Sequence, residues 1–579
     1  MADHDLVIRS GTVIDGGGGP SFVADIAVQG SRIVEVGQVS GGGREEIDAT
    51  GRIVTPGFVD IHTHYDGQAT WEETLAPSSN HGVTTVIGGN CGVGFAPCRA
   101  GDRNKLITVM EGVEDIPEIV MAAGIPWNWE SFPDYLDALD ARRFDIDVAM
   151  QVAHSPLRVF VMGDRGIAHE ASTDLDRQRM ARLVTQAVQA GAIGVSTSRS
   201  LNHRTKAGVP APSVLTAREE TLALAKGLGA AGAGVFQIIS EMSEEPASEM
   251  ALIEEIAKVS GRPVSFSLAE TMDKPQVWRK MLDALDDIAG RGLPVRAQVF
   301  PRPIGVMMGL ELSLNPIVNR PAYAAIAHLP LADRVAELRR PETKARILDE
   351  EPVPDPQPVA NMLIGAVGAM YALGAHPDYM PSEAMRLDRR AMREGTTALS
   401  LAYDLMLEQD GHALLYLPSA NYATGGSGPI REMLTNPNTV LGLADGGAHY
   451  GMICDAGYPT YLLSYWVKEA PADIRFPIEW AVHALSRRPA QTVGLTDRGL
   501  IACGLKADIN VIDLDRLTLG APRPSFDLPS GGRRLRQSAT GYDATIVSGT
   551  IIARHDRPTG TRPGRLVRGP GHAPLALAG

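Results

Sequence analysis

From about residue 56 to about residue 495 the chain alternates short runs of strand-forming residues with amphipathic helical patterns. IDVAMQVAHS, AIGVSTS, GVFQIIS, RPVSFSLAE and LPVRAQVF read as strands. Between them, residues 173–190, TAREETLALAKGLGAAG, SEMALIEEIAKVSG and PQVWRKMLDALDDIAGRG read as helices. In the first helix Leu183, Val184, Ala187 and Val188 share one face, and Thr216 with Glu219 forms a capping-box sequence at the start of the second. Repeated strand–helix units imply parallel strands joined by right-handed crossovers. About eight such units fit this length, and the economical closure is an α/β fold, a (β/α)8 TIM barrel.

The ends have a different texture. Residues 5–55 are short strands between Gly-rich turns, and ADINVIDLDRL and YDATIVSGTIIARHD repeat that pattern near the C-terminus. This predicts a small β-sandwich module built from both termini, residues 1–55 with 497–560, beside a barrel over 56–496. Residues 301–396 are rich in Pro and Met and too long for a plain loop, so they read as an insertion over the barrel mouth, either a lid or a structural excursion. Residues 561–579, rich in Pro, Gly and Arg, read as a flexible tail.

The chemistry concentrates in IVTPGFVDIHTHYDGQATWEETLAPSSNHGVTTVIGGNCGVGFAPC, residues 53–98. After the strand that leaves Pro56-Gly57, His62 and His64 stand two residues apart and project to one face. Two converging imidazoles suit a divalent transition metal such as zinc. Asp66 keeps the same parity and reads as a third inward group or a partner of a ligand. Cys91 stands at the exit of the next strand, and Asp445 at the end of the late strand in NTVLGLADGG. Each also has an ordinary reading: two chance histidines, a core cysteine, a turn aspartate.

Composition excludes several classes. The net charge is −14, with no basic cluster, and only 5% of the residues are aromatic, which argues against a nucleic-acid partner. No apolar run reaches membrane-spanning length and the N-terminal stretch lacks a signal-peptide pattern. Four widely spaced cysteines give no disulfide framework, so the expected compartment is the cytoplasm. The expected partner is a small-molecule substrate; a homo-oligomer stays open.

PGFVDIHTHYD, GNCG and LADGG, together with VAHSPLRVFVMGD, GAIGVSTS and the split β-module, resemble the amidohydrolase superfamily, in its N-acyl-D-amino-acid deacylase branch. The resemblance covers nearly the whole chain. It implies a metal site at the barrel mouth and hydrolysis of an amide. His62 and His64 match the branch's first-strand metal histidines, Cys91 its metal-bridging cysteine, and Asp445 the late aspartate that moves a proton from water to the leaving nitrogen. Two further metal histidines of the branch are replaced by Ile239 and Leu268, so the expectation is one zinc ion held by His62, His64, Asp445 and Cys91. Where the branch tends to carry basic groups for the substrate carboxylate, this chain has Glu241 and Glu270, read either as pocket carboxylates or as solvated loop residues. His154, His203 and His449 lie where they can face substrate.

Three functions compete at this stage: an amidohydrolase of N-acyl amino acids or similar small amides, a hydrolase of a non-carboxylate amide, lactone or ester on the same barrel, and a barrel that binds without turnover.

Overall fold

A computed structural model describes residues 3–571. Eight parallel strands form the centre: β1 (Phe58–Asp60), β2 (Val83–Gly88), β3 (Asp147–Ala153), β4 (Gly194–Ser198), β5 (Val235–Ile239), β6 (Val264–Ser267), β7 (Val295–Val299) and β8 (Thr439–Leu441). Neighbours in sequence are neighbours in the sheet, from β1 through β7, with β8 beyond β7. The ring closes where β1 and β8 run out: the Asp445 amide donates to the His62 carbonyl at 3.1 Å and the His64 amide to the Gly446 carbonyl at 2.7 Å. The closing seam is therefore made by the backbone of the residues singled out for chemistry. This is the expected (β/α)8 architecture.

The crossover helices pack their apolar stripes on the barrel. Asp174–Gln189 buries Met180, Val184, Ala187 and Val188 and begins with a capping box of Thr173 and Asp176. The helix expected from residue 216 begins at Arg218, and Ala217 caps it without a side-chain bond. Thr216 is one residue too early to cap, and its hydroxyl donates to the Ser213 carbonyl instead.

A nine-stranded sheet draws Ile53–Pro56 and the strands before it together with Ile509–Ile512, Tyr542–Val547, Thr550–Arg554 and Arg557–Pro558. Ile53–Pro56 joins the two ends, pairing parallel with Thr12 and Val13 and antiparallel with Ile509–Ile512. Leu6, Ile8, Ile26, Val28, Val54, Ile509, Val511 and Ile546 form the apolar core of this module.

After β7 the chain leaves the mouth side into a three-stranded sheet of Ile304–Met308, Leu414–Ala420 and Tyr371–Leu373. Its core includes Val306, Met308, Tyr403, Leu415 and Leu417. Strand and core partners thus continue past residue 396, where the insertion was expected to end. Met-rich 304–308 needs the apolar strand 414–420 as its partner, and a composition boundary does not register that pairing.

The tail expected to be flexible is tied down as far as it is described. Gly564 and Leu566 bridge to Phe144 and Val148, the Val567 amide donates to Val148 at 2.7 Å, and Arg568 pairs with Asp137 at 2.6 Å. Its glycines give close backbone approach rather than freedom: a Cβ on Gly569 would lie 3.0 Å from the Ala192 carbonyl oxygen. Residues 572–579 of that expected tail lie outside the described residues. No helix among the described residues is long and apolar enough to cross a membrane.

Candidate metal centre

One ring nitrogen each of His62 and His64 and the Cys91 Sγ lie within 4.8 Å of one another, all three side chains buried. His62 Nε2 stands 3.3 Å from Cys91 Sγ and 3.3 Å from Asp445 Oδ1. His64 Nε2 is 3.7 Å from Asp445 Oδ1 and 3.4 Å from Glu114 Oε2. So the structure brings together the four residues expected to meet, and adds a carboxylate that sequence reasoning missed.

Three glutamines from alternate barrel strands support the cluster from below, as layered side chains do in such barrels. Gln298 on β7 accepts from His62 Nδ1 at 2.6 Å, while its amide nitrogen donates to Ser265. This fixes the His62 tautomer: the proton is on Nδ1, and the Nε2 lone pair points at Cys91 and Asp445. Gln237 on β5 accepts the Cys91 amide at 3.2 Å, and Gln151 on β3 donates to Asn90 at 2.9 Å.

The backbone is constrained at the same places. Cys91, Asp445 and His449 all have positive φ, at 57°, 51° and 51°. Non-glycine residues rarely adopt that region, and it clusters at functional sites because surrounding contacts must impose it. Here the amides of all three are held, by Gln237, by the His62 carbonyl and by the Glu114 carbonyl. Gly92 lets the Cys91 turn lie against β4, since a Cβ there would come within 2.9 Å of Thr197 and Ser198 backbone atoms.

The charges suit a cation among these side chains. Burial lowers the His62 imidazole to about 4, so it is neutral. Burial would lower His64 as well, but Glu114 and Asp445 outweigh it and raise His64 to about 9. Burial would raise Asp445, yet the neighbouring His64 and His62 hold it below the usual carboxylate range. Burial raises Glu114 to about 7 and pushes the Cys91 thiol well up. A proton on His64 thus stands where a positive charge is wanted. His64 Nδ1 and Nε2, Glu114 Oε1 and Asp445 Oδ1 are buried without a hydrogen-bond partner. The imidazole–carboxylate spacings of 3.3–3.7 Å are long for hydrogen bonds, but donors around a tetrahedral ion at roughly 2.0–2.3 Å stand roughly 3.3–3.7 Å apart. On orphaned atoms, donor type and spacing, these residues fit a divalent transition metal.

The remaining expected residues divide. His203, in the loop after β4, lies close enough to His64, His449, Asp445 and His62 for their charges to act on it, and burial lowers it to about 3. His449 Nε2 is 3.5 Å from Glu114 Oε2 and 3.8 Å from Asp445 Oδ2. Asp66 is buried, raised to about 6 by burial against the pull of His64.

His154, expected to face substrate, has both ring nitrogens taken: Nδ1 meets Thr197 at 2.8 Å and Nε2 meets Glu220 at 2.9 Å. Glu241 accepts the Leu201 amide at 2.9 Å, steadying the loop that carries His203. Glu270 is neither solvated nor free: its oxygens accept from the Ala423 amide at 3.0 Å and the Thr424 hydroxyl at 2.7 Å. A carboxylate buried at a strand end is stable only when donors surround it, and here a turn of the insertion supplies them. The ends of β5 and β6 carry Ile239 and Leu268, both buried, beside a Ser240–Ser267 hydrogen bond.

The His154–Glu220–Arg158 group yields a pH prediction. Burial would raise Glu220, but His154 and Arg158 outweigh it and hold it down to about 2. Its stabilisation is therefore present above the ordinary carboxylate range and lost as pH falls toward 2. Glu220→Gln should lower the melting temperature at neutral pH, with the gap to wild type narrowing below about pH 4. Scanning calorimetry across that range checks it; a gap independent of pH would contradict the pairing.

The sequence profile of the amidohydrolase family matches residues 45–553. The chain is 27% identical to the D-aminoacylase of Alcaligenes xylosoxydans xylosoxydans over 578 residues, covering 97% of each chain. It is also 27% identical to the N-acyl-D-glutamate deacylase of the same organism, over 97% of this chain and 96% of that one. The crystal structure of N-acyl-D-glutamate deacylase from Bordetella bronchiseptica, complexed with zinc and a phosphonate inhibitor, shares the fold with a TM-score of 0.65 and 22% identity, covering 98% of this chain and 99% of that one.

Proposed function

Since this chain belongs to the amidohydrolase family, we propose that it hydrolyses the amide C–N bond of an N-acyl-D-amino acid or similar small amide, using one zinc ion held by His62, His64, Cys91 and Asp445. The observation that carries this is the His62 Nε2 lone pair, freed by Gln298 and standing 3.3 Å from both Cys91 Sγ and Asp445 Oδ1. The names of the two relatives that span nearly the whole chain support the substrate class. Bound zinc would polarise the amide carbonyl and bring the pKa of water toward neutrality. Asp445, kept ionised by the two histidines, takes the proton from the attacking water and delivers it to the departing nitrogen. Cys91 and His62 hold their atoms for the metal through the glutamine layer, and His203 and His449 border the space left for substrate. In the same reading residues 1–55 with 497–560 form a module that closes the base, 56–496 the catalytic barrel, and the protein works in the cytoplasm.

Metal analysis tests it. Purified protein should hold zinc, lose its activity on N-acyl-D-amino acids when stripped by a chelator, and regain it on adding zinc back. Full activity after stripping sinks the reading. In a substrate panel, N-acyl-D-amino acids should exceed neutral amides and lactones; the reverse order would move the reaction to another substrate class.

A further inference from the structure

A cavity of about 320 Å³ lies apart from the metal centre, where the insertion meets the hairpin of Arg523–Leu528 and Gly532–Arg536. Two arginines line it, Arg334 from the helix Leu331–Leu338 and Arg533 from the hairpin. Leu310, Leu312, Val318 and Leu331 supply an apolar wall, and Phe526, 58% exposed, forms part of the lining. Both guanidiniums are held by neutral oxygens. Arg334 Nη1 donates to the Ala327 carbonyl at 3.0 Å and to the Tyr323 hydroxyl at 3.4 Å. Arg533 donates from Nη1 to the Glu311 carbonyl at 2.6 Å and from Nη2 to the Ser313 hydroxyl at 2.9 Å. The Nε of each arginine is buried without a partner. We propose that this cavity binds an aliphatic monocarboxylate, its head between Arg334 and Arg533 and its chain on the leucine wall; the inference does not rest on the zinc reading above.

The charge at this place is unbalanced. Among the described residues neither guanidinium is paired with a carboxylate, although charges withdrawn from water are normally paired. The acids nearby are engaged elsewhere. Glu311 lines the cavity, but its Oε2 meets His412 Nδ1 at 2.7 Å. Asp115 accepts the Ser313 hydroxyl at 3.0 Å and the Gly451 amide at 2.9 Å. Burial lowers the Arg533 guanidinium; Asp115 and Glu311 oppose it, and the charge of Arg334 adds to it, so the two cations feel each other. An anion between them turns that repulsion into two attractions, and the planar guanidinium matches a carboxylate.

The apolar wall decides which anion fits. Inorganic phosphate would meet the charges and leave the leucines wet, whereas an alkyl alcohol would cover the leucines and leave the charges unpaired. A carboxylate with a short chain does both, and the volume is at the low end for small-molecule pockets. The experiment is isothermal titration calorimetry on full-length protein with hexanoate, hexan-1-ol and inorganic phosphate. Wild type should bind one hexanoate per chain, with the alcohol and phosphate weaker by about tenfold or more. Arg334→Gln and Arg533→Gln, made separately, should each weaken hexanoate by about tenfold or more, with unliganded melting curves showing that each variant folds. Leu331→Asp, on the half-buried wall, sets a like charge against the ligand and serves if an arginine variant fails to fold. It too should weaken hexanoate. Absence of saturable hexanoate binding, phosphate binding as tightly as hexanoate, or hexanoate binding unchanged in any folded variant overturns the inference.

Discussion

Asp445→Asn should reduce kcat by about 10²- to 10⁴-fold, the range a positioned general acid–base group supplies. Asparagine keeps the size and one oxygen of the side chain but has no basic lone pair to accept a proton from water. The replacement is clean because the backbone role of residue 445 is separate: its amide closes the barrel on the His62 carbonyl, and that bond survives the change. The carboxylate is also in the right state to act. Burial works against ionisation, and His64 and His62 overcome it. Steady-state kinetics beside metal analysis checks the outcome. A rate within about threefold of wild type, with zinc still bound, would remove Asp445 from the chemistry. Equal loss of zinc and rate would make it a ligand first, so the comparison with His62→Ala, which should lose both, separates the roles.

How much of this was legible beforehand depended on whether a residue's neighbours were set by local periodicity. The barrel followed from alternating periods, and the convergence of His62 with His64 followed from the two-residue repeat of a strand. Cys91 and Asp445 followed from strand ends, since every parallel strand delivers its exit to the same face. The glutamine layer did not. Gln151, Gln237 and Gln298 look like solvent-side residues of half-buried strands, and only ring closure turns that side inward. Glu114 was hidden for another reason. It ends the helix Arg103–Glu114, and a glutamate there looks exposed; its burial comes from the 445–451 loop folding over it through Glu114 and Asp115. The same logic explains Glu270, read either as a pocket carboxylate or as a solvated loop residue: the turn at 421–424 that satisfies it comes from a distant insertion. His154 failed in a similar way. Its position at the mouth side of β3 was readable, but the Glu220 that takes its Nε2 sits on the helix of the next crossover, between β4 and β5. The described part of the tail was misjudged because Pro and Gly were read as freedom, whereas Gly564 and Gly569 permit a tight strap.

Removing Arg498 should destabilise the fold more than any surface change. Its guanidinium is buried at the N-terminal end of β3, donating to Asp147 at 2.7 Å and to the Thr85 hydroxyl at 2.9 Å. Lys506 lies 2.9 Å from the same carboxylate and 2.6 Å from Asp508, which leads into the strand Ile509–Ile512 of the terminal module. One buried charge network therefore joins the barrel floor to the sheet. Burial alone would raise Asp147, but Lys506 and Arg498 outweigh it and hold it below its ordinary range. Losing one partner of a buried pair typically costs about 3–5 kcal/mol, because a charge is left behind in a dry place. Lys506 remains to share Asp147 here, so Arg498→Met should cost about 3 kcal/mol, the lower end of that range. The double variant Arg498→Met with Asp147→Asn takes away the stranded charge and should recover part of the loss. Urea unfolding of the three proteins tests this. If the single and double variants unfold at the same denaturant concentration as wild type, the network carries no stability and the module is held by apolar contact alone. If the double variant is worse than the single by the full cost of a second broken pair, Asp147 acts through Lys506 and not through Arg498.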